Sequence, residues 1–126
     1  LSVILLTVAF VAFQSARTGY IEIVIQVSPN VLNLNNQGEV VTIHTDIPYS
    51  LVAGASVTLN ELEIAWWKSD DRGYFVAKFV MESVKGLPLE IGEYNPLTLE
   101  GYTKDGVFFT GSQDIMVVNN IPVPKK

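Results

Sequence analysis

The 126-residue chain has no cysteine and a single histidine, His44. Without cysteine there is no disulfide scaffold, no thiol nucleophile and no thiolate-bound zinc. One histidine cannot build a His-based metal site, and a lone His on the polar face of a strand reads as a surface residue. Positive charge is scarce too: 8 Lys and Arg stand against 13 Asp and Glu, giving a net charge of −5 and a pI near 4.7. Nucleic acid, which wants a basic surface, is therefore not an expected partner. Gly-rich phosphate loops are absent, and Ser50, Ser56, Ser69, Ser83 and Ser112 lie in no Gly-x-Ser-x-Gly elbow. Glu90, Glu93 and Glu100 sit in or beside a β hairpin, and a paired-carboxylate glycosidase needs a cleft that a small sandwich seldom supplies. Neither an enzyme nor a cofactor is expected.

Charge is missing altogether from residues 1–16 (LSVILLTVAFVAFQSA), a nearly unbroken apolar run. Burying such a run is worth about 25 cal/mol per Å², so a soluble monomer would not leave it in water. A secretory signal peptide is one reading, but no Lys or Arg precedes the apolar core. Cleavage after Ala16 or Ser15 would place Gln14 or Phe13 where a small residue is wanted. A membrane span is a second reading. As a helix the run would reach about 24 Å, short of the roughly 30 Å hydrocarbon core. The third reading, which we adopt as the expectation, is an assembly segment buried among identical copies. Leu1, Val3, Ile4, Leu5, Leu6, Val8, Phe10, Val11 and Phe13 would make its contacts, and Arg17 with Thr18-Gly19 would form the joint to the rest of the chain. Its conformation stays open. Length and all-round apolarity suit a buried helix, whereas Val3, Ile4, Thr7, Val8 and Val11 suit a strand donated to a neighbour.

From Tyr20 the pattern changes to short strands punctuated by turn residues. Ile21–Val27 alternates with period 2, Ser28-Pro29-Asn30 interrupts it, and Val31–Leu34 is a short alternating piece. Glu39–Ile47 is expected to carry Val41, Ile43 and Thr45 on one face and Thr42, His44 and Asp46 on the other. Val52–Leu59, Glu61–Lys68 and Tyr74–Met81 come next, the last two joined by the Ser69–Gly73 turn, and one helical turn fits Met81–Leu87. Asn95–Tyr102 and Val107–Gly111 flank Asp105-Gly106, a strong hairpin signal, and Asp114–Val118 is the last strand. The fold class implied by these strands is all-β, a sandwich of about seven or eight strands. The apolar segment would occupy 1–19, the head 20–120, and a solvated tail with Lys125 and Lys126 would occupy 121–126.

Several residues of the head fit one pattern. Pro29, Leu32, Asn33 and Leu34 open it; Gly38 precedes Val41-Thr42; Val57, Leu59 and Asn60, then Val76, Lys78 and Phe79, come later; Asp105, Gly106, Phe109, Gly111 and Ser112 close it. Over about residues 21–118 the chain resembles a small Ig-like β-sandwich module of bacterial and archaeal secreted and cell-surface proteins. The resemblance implies an extracellular, non-catalytic appendage. An apolar N-terminal segment before a β-rich head is also similar in architecture to subunits of type IV pilus-like and archaeal surface filaments. Position five is Leu5 here, where bacterial type IV pilins usually carry Glu, and the run is shorter than theirs.

Two surface features bear on partners. Trp66 and Trp67 are adjacent, and in a strand they must point to opposite faces. One can pack inward while the other, with Tyr49, Tyr74 or Tyr94 available, could contact a neighbouring subunit or stack on a sugar. Asp70 and Asp71 ahead of Gly73 resemble the acidic, Gly-containing loops that hold Ca²⁺ in related modules. Such a loop needs oxygen ligands at alternate positions, however, and Arg72 opposes a cation, so a polar hairpin tip is the plainer reading. The expectation is thus a structural subunit of an extracellular filament or surface array. Its partners would be copies of itself, with a membrane stage before assembly. The alternative is a membrane-tethered or secreted module that binds a glycan.

Overall fold

Alternating apolar and polar residues build two facing sheets over residues 19–120, the part of the chain that the computed structural model describes. The apolar segment with its expected contacts from Leu1 to Phe13, and the tail at 121–126, lie outside the described residues. The strands are β1 (Tyr20–Glu22), β2 (Ile25–Ser28), β3 (Val31–Asn33), β4 (Val40–Pro48), β5 (Thr58–Leu59), β6 (Leu62–Glu63), β7 (Trp66–Ser69), β8 (Tyr74–Val80), β9 (Tyr94–Tyr102) and β10 (Phe108–Val118). One sheet has the order β1-β10-β9-β5-β6, with β3 also on β10; the other has the order β2-β4-β8-β7. A five-residue helix, Met81–Lys85, comes directly after β8.

Strand periodicity decides what is buried. Along β4, Val41, Ile43, Thr45 and Ile47 face inward while His44 and Asp46 face out. They meet Phe75, Ala77 and Phe79 of β8 and, from the other sheet, Leu97 and Leu99 of β9 and Phe109, Ile115 and Val117 of β10. Each of these aromatic and aliphatic side chains is almost wholly removed from water, and each one larger than Ala77 contributes on the order of 1.5–3 kcal/mol. Thr45 is the polar exception on the inward face, and its hydroxyl donates to the Phe75 carbonyl at 2.6 Å.

The N-terminal strand region changes sheets. β1 pairs in parallel with the start of β10, β2 crosses to pair with β4, and β3 returns to pair in parallel with the end of β10. At the crossing the Ile23 amide donates to the Thr110 carbonyl at 2.9 Å. The amide of Val24 donates to Asp46 Oδ1, and that of Val27 to Gln113 Oε1. Gly111 makes this approach possible, because a Cβ there would lie 2.5 Å from the Ile23 carbonyl oxygen and 2.8 Å from its Cγ1.

The two-sheet all-β architecture agrees with the sequence reading, and the helical turn falls at Met81–Lys85. Four strand expectations need correction. Ile21–Val27 is two strands on different sheets, because Asp46 and Thr110 take the amides at the crossing. Val52–Leu59 is mostly irregular: Gly54–Ser56 forms a 3-10 turn, and the Ser56 hydroxyl donates to the Ala53 carbonyl. Glu61–Lys68 breaks at Ile64-Ala65, where the chain passes from the edge of one sheet to the edge of the other. Val107–Gly111 and Asp114–Val118 belong to one strand, β10, so the described residues hold ten strands where about seven or eight are expected.

Replacing Gly111 by Ala should destabilise the head by about 1–3 kcal/mol, since the atom in the way is backbone and cannot rotate aside. Urea unfolding of Gly111→Ala beside wild type measures this. A change within about 0.5 kcal/mol, as at an unremarkable surface site, would show that the crossing has room for a side chain after all.

Candidate functional site

The tryptophans divide as strand geometry requires. Trp67 pairs with Ala77 on the inner side of the edge strand β7, its ring against the Gly54 backbone so closely that a Cβ at Gly54 could not be placed, yet it stays 37 % exposed and outside the core. Trp66 pairs with Lys78 on the outer face and is half exposed, with the Lys78 ammonium 5.3 Å from its ring centre. Lys78 also donates to the Thr42 hydroxyl at 2.9 Å. Around them His44 and Gln26 stand in cross-strand register on the same outer face. Val76, beside His44, is buried even though it points away from the core. Between the start of β2 and the β7–β8 hairpin lies a shallow cleft of about 330 Å³, lined in part by Val24, His44, Asp46, Asp70 and Arg72.

At the hairpin tip, Asp70 Oδ1 accepts the amides of Arg72 at 2.8 Å and of Tyr74 at 2.9 Å. The Tyr74 amide is the largest influence holding the Asp70 carboxyl below the usual carboxylate range; burial opposes it, and the amides of Arg72 and Gly73 and the Arg72 guanidinium assist. Arg72 in turn lies over the Tyr74 ring, 5.4 Å from its centre. This carboxylate thus organises the turn, with Gly73 taking the positive φ that closes it. Among the described residues no group of three or more His, Asp or Glu side chains is arranged to hold a metal ion.

The other candidate side chains are scattered. Glu90 and Glu93 belong to the turn before β9, held by buried Asn95: Asn95 Oδ1 accepts the Glu90 amide, and its Nδ2 donates to the Glu90 and Glu93 carbonyls. Glu100 lies far along β9, between Thr110 and Thr58 on the outer face of the first sheet. The Ser56 hydroxyl accepts the Tyr102 amide, and Ser112 bonds Thr98 at 2.7 Å. No two of these carboxylates and hydroxyls converge on a common cleft.

What does converge is apolar surface at the two ends of the head. At the end where β1 begins, Tyr20, Phe108 and Tyr102 form one cross-strand row on the outer face, with Tyr102 and Phe108 ring centres 5.5 Å apart. Tyr49 and Leu51 lie at the same end, because Lys104 donates its amide to the Leu51 carbonyl and Val52 bridges to Thr103. Tyr20, Tyr49, Leu51 and Tyr102 are all exposed. At the far end Val31, Val80, Ile91 and Tyr94 are exposed, beside the point where the chain leaves β10. Between the ends the outer face of the first sheet is polar, with Glu22, Thr110, Glu100 and Thr58 in one row.

Sequence reasoning named Asn60 only as a motif residue and gave no role to the side chains of Asn95 and Gln113; all three serve backbone amides or carbonyls. Asn60 did carry a signal, standing with Glu61 between two apolar strands. Both take positive φ, as a two-residue hairpin of that twist demands. No protein-family model matches the chain, and no curated protein does.

The Asp70 turn has a pH signature. A carboxyl held low in the fold adds stability that is present above its unfolded value of about 3.9 and is lost as the pH falls through the lower folded value. Melting temperatures should therefore drop more steeply below about pH 4 for wild type than for Asp70→Asn, which keeps a neutral acceptor. Parallel curves would show that the charge on Asp70 does not matter to the turn.

Proposed function

We propose that this protein is a non-enzymatic structural subunit of an extracellular filament or surface array, assembled through the apolar run at residues 1–16. The observation that carries the reading is a mismatch between that run and the head. The head fills its core with its own side chains, with Phe75, Phe79 and Phe109 fully covered. Sixteen uncharged residues joined to it by Arg17-Thr18-Gly19 need a different hydrophobic environment. A membrane supplies one before assembly; the shared core of a polymer supplies one after it.

The head belongs in this reading as an Ig-like module of the secreted and cell-surface kind. Two facing sheets support that, as do the places of the motif residues: Leu32 in the core, Asp105-Gly106 in the β9–β10 turn, Gly111 at the sheet crossing. The direction of the chain supports assembly. It feeds β1 at one end and leaves β10 at the other, so a buried leader would hold every head in the same orientation along the polymer.

Removing residues 1–16 should convert an assembling chain into a soluble monomer, read by analytical ultracentrifugation. A truncated protein that still forms the same polymer sinks the reading. A full chain that stays monomeric sinks it as well and favours the glycan-binding alternative, with half-exposed Trp66 as the stacking surface.

A further inference from the structure

We infer that the end of the head from which β1 starts is a bilayer-docking surface, seated on the lipid headgroup zone while the apolar run is held in the membrane. This rests on the membrane stage of the proposed assembly and assigns it a surface. Chain length sets the placement. Only Arg17, Thr18 and Gly19 separate the last residue of the uncharged run from Tyr20. The four steps from Ala16 to Tyr20 span at most about 14 Å even when fully extended. A run buried in hydrocarbon therefore holds the start of β1 within roughly that distance of the hydrocarbon boundary, inside or against the headgroup layer.

The chemistry of that end agrees. It exposes Tyr20 (52 %), Leu51 (44 %) and Tyr102 (49 %), with Tyr49 and the Phe108 ring beside them. Tyrosines with an apolar ring and a polar hydroxyl are the side chains that favour a membrane–water interface. Three of them lie at this end, Tyr20 of β1 and Tyr102 of β9 in one row of the first sheet and Tyr49, in the turn after β4, stacked on Phe75. The charges at this end are of both signs, Arg72 and Lys104 against Asp70, Asp71 and Asp105, a slight negative excess that suits a zwitterionic surface better than a strongly anionic one. The far end has exposed apolar residues too, but it lies the length of β10 away and the three-residue joint cannot bring it to the bilayer.

The absence of cysteine makes the test clean. Leu51→Cys and Tyr102→Cys report on the docking end and Tyr94→Cys on the far end, all three at exposed positions. Each full-length variant carries an environment-sensitive fluorophore and is reconstituted with phosphatidylcholine vesicles, with and without a quencher on the acyl chain near the headgroup. The expected result is flotation of the protein with the vesicles, a blue shift at 51 and 102 with loss of most emission to the quencher, and no response at 94. If the protein floats but 51 and 102 are as silent as 94, the docking surface is wrong and the assembly reading stands. If it does not float, the docking surface falls together with the membrane stage. A response at 51 and 102 confined to lipid-free polymer would give this face to a second copy and also overturn the inference.

Discussion

The head depends on one close backbone approach, that of Ile23 to Gly111. It lets a single N-terminal stretch serve both sheets, as β1 and β3 on β10 and as β2 on β4. A sandwich whose first strand stayed in one sheet would leave the other without Ile25 and Val27, both of which cover the core. The same crossing blunts an edge. β2 is the outermost strand of its sheet, and an edge with free donors invites pairing with another chain. Here the amide of Val27, on the side away from β4, goes to the side chain of Gln113 on β10, so part of that edge is occupied by the protein itself.

Much of this fold was legible because period-2 patterning reports burial directly. The inward set on β4 and the outward position of His44 follow from alternation alone. The Asp70 turn and the Asp105-Gly106 hairpin follow from local chemistry in which a side chain or a glycine satisfies its own neighbours. The crossings were not legible. Ile21–Val27 keeps its alternation while it changes sheet, since Ile23, Ile25 and Val27 all remain buried through the switch. What marks the switch is Gly111, almost ninety positions away, and no local pattern ties the two together. Gly54 is similar: the residue that excludes a side chain there is Trp67, on another sheet's edge strand. Alternation puts the two tryptophans on opposite faces of β7, but on this edge strand both rings stay exposed, and that Trp66 takes the outer face follows from its pairing with Lys78.

Directionality connects the fold to the proposed role. The two sheets are laid out so that the chain arrives beside Tyr20 and Tyr102 and departs beside Val31 and Tyr94. The outer face of the first sheet is polar, and its hydroxyls and carboxylates are engaged in cross-strand pairs; Asp46 and Asp70, which share the shallow cleft beside His44, each accept backbone amides. Most of the exposed large apolar residues gather at the two ends, with Ile21, Val24 and the two tryptophans elsewhere. That arrangement suits a part that is held and stacked, and it gives the leader and the head complementary tasks. The leader would supply the hydrophobic driving force, which is large and non-directional, and the head would supply orientation.

The central claim is that the apolar run and the head together make a polymer with the run inside. Cryo-electron microscopy of the full-length protein purified without detergent tests it most directly. The account predicts a helical filament or ordered array with a continuous central density of apolar segments and β-sandwich heads outside it, all pointing the same way. Dispersed single heads, or an array held only by head-to-head contacts with no such central density, would contradict it.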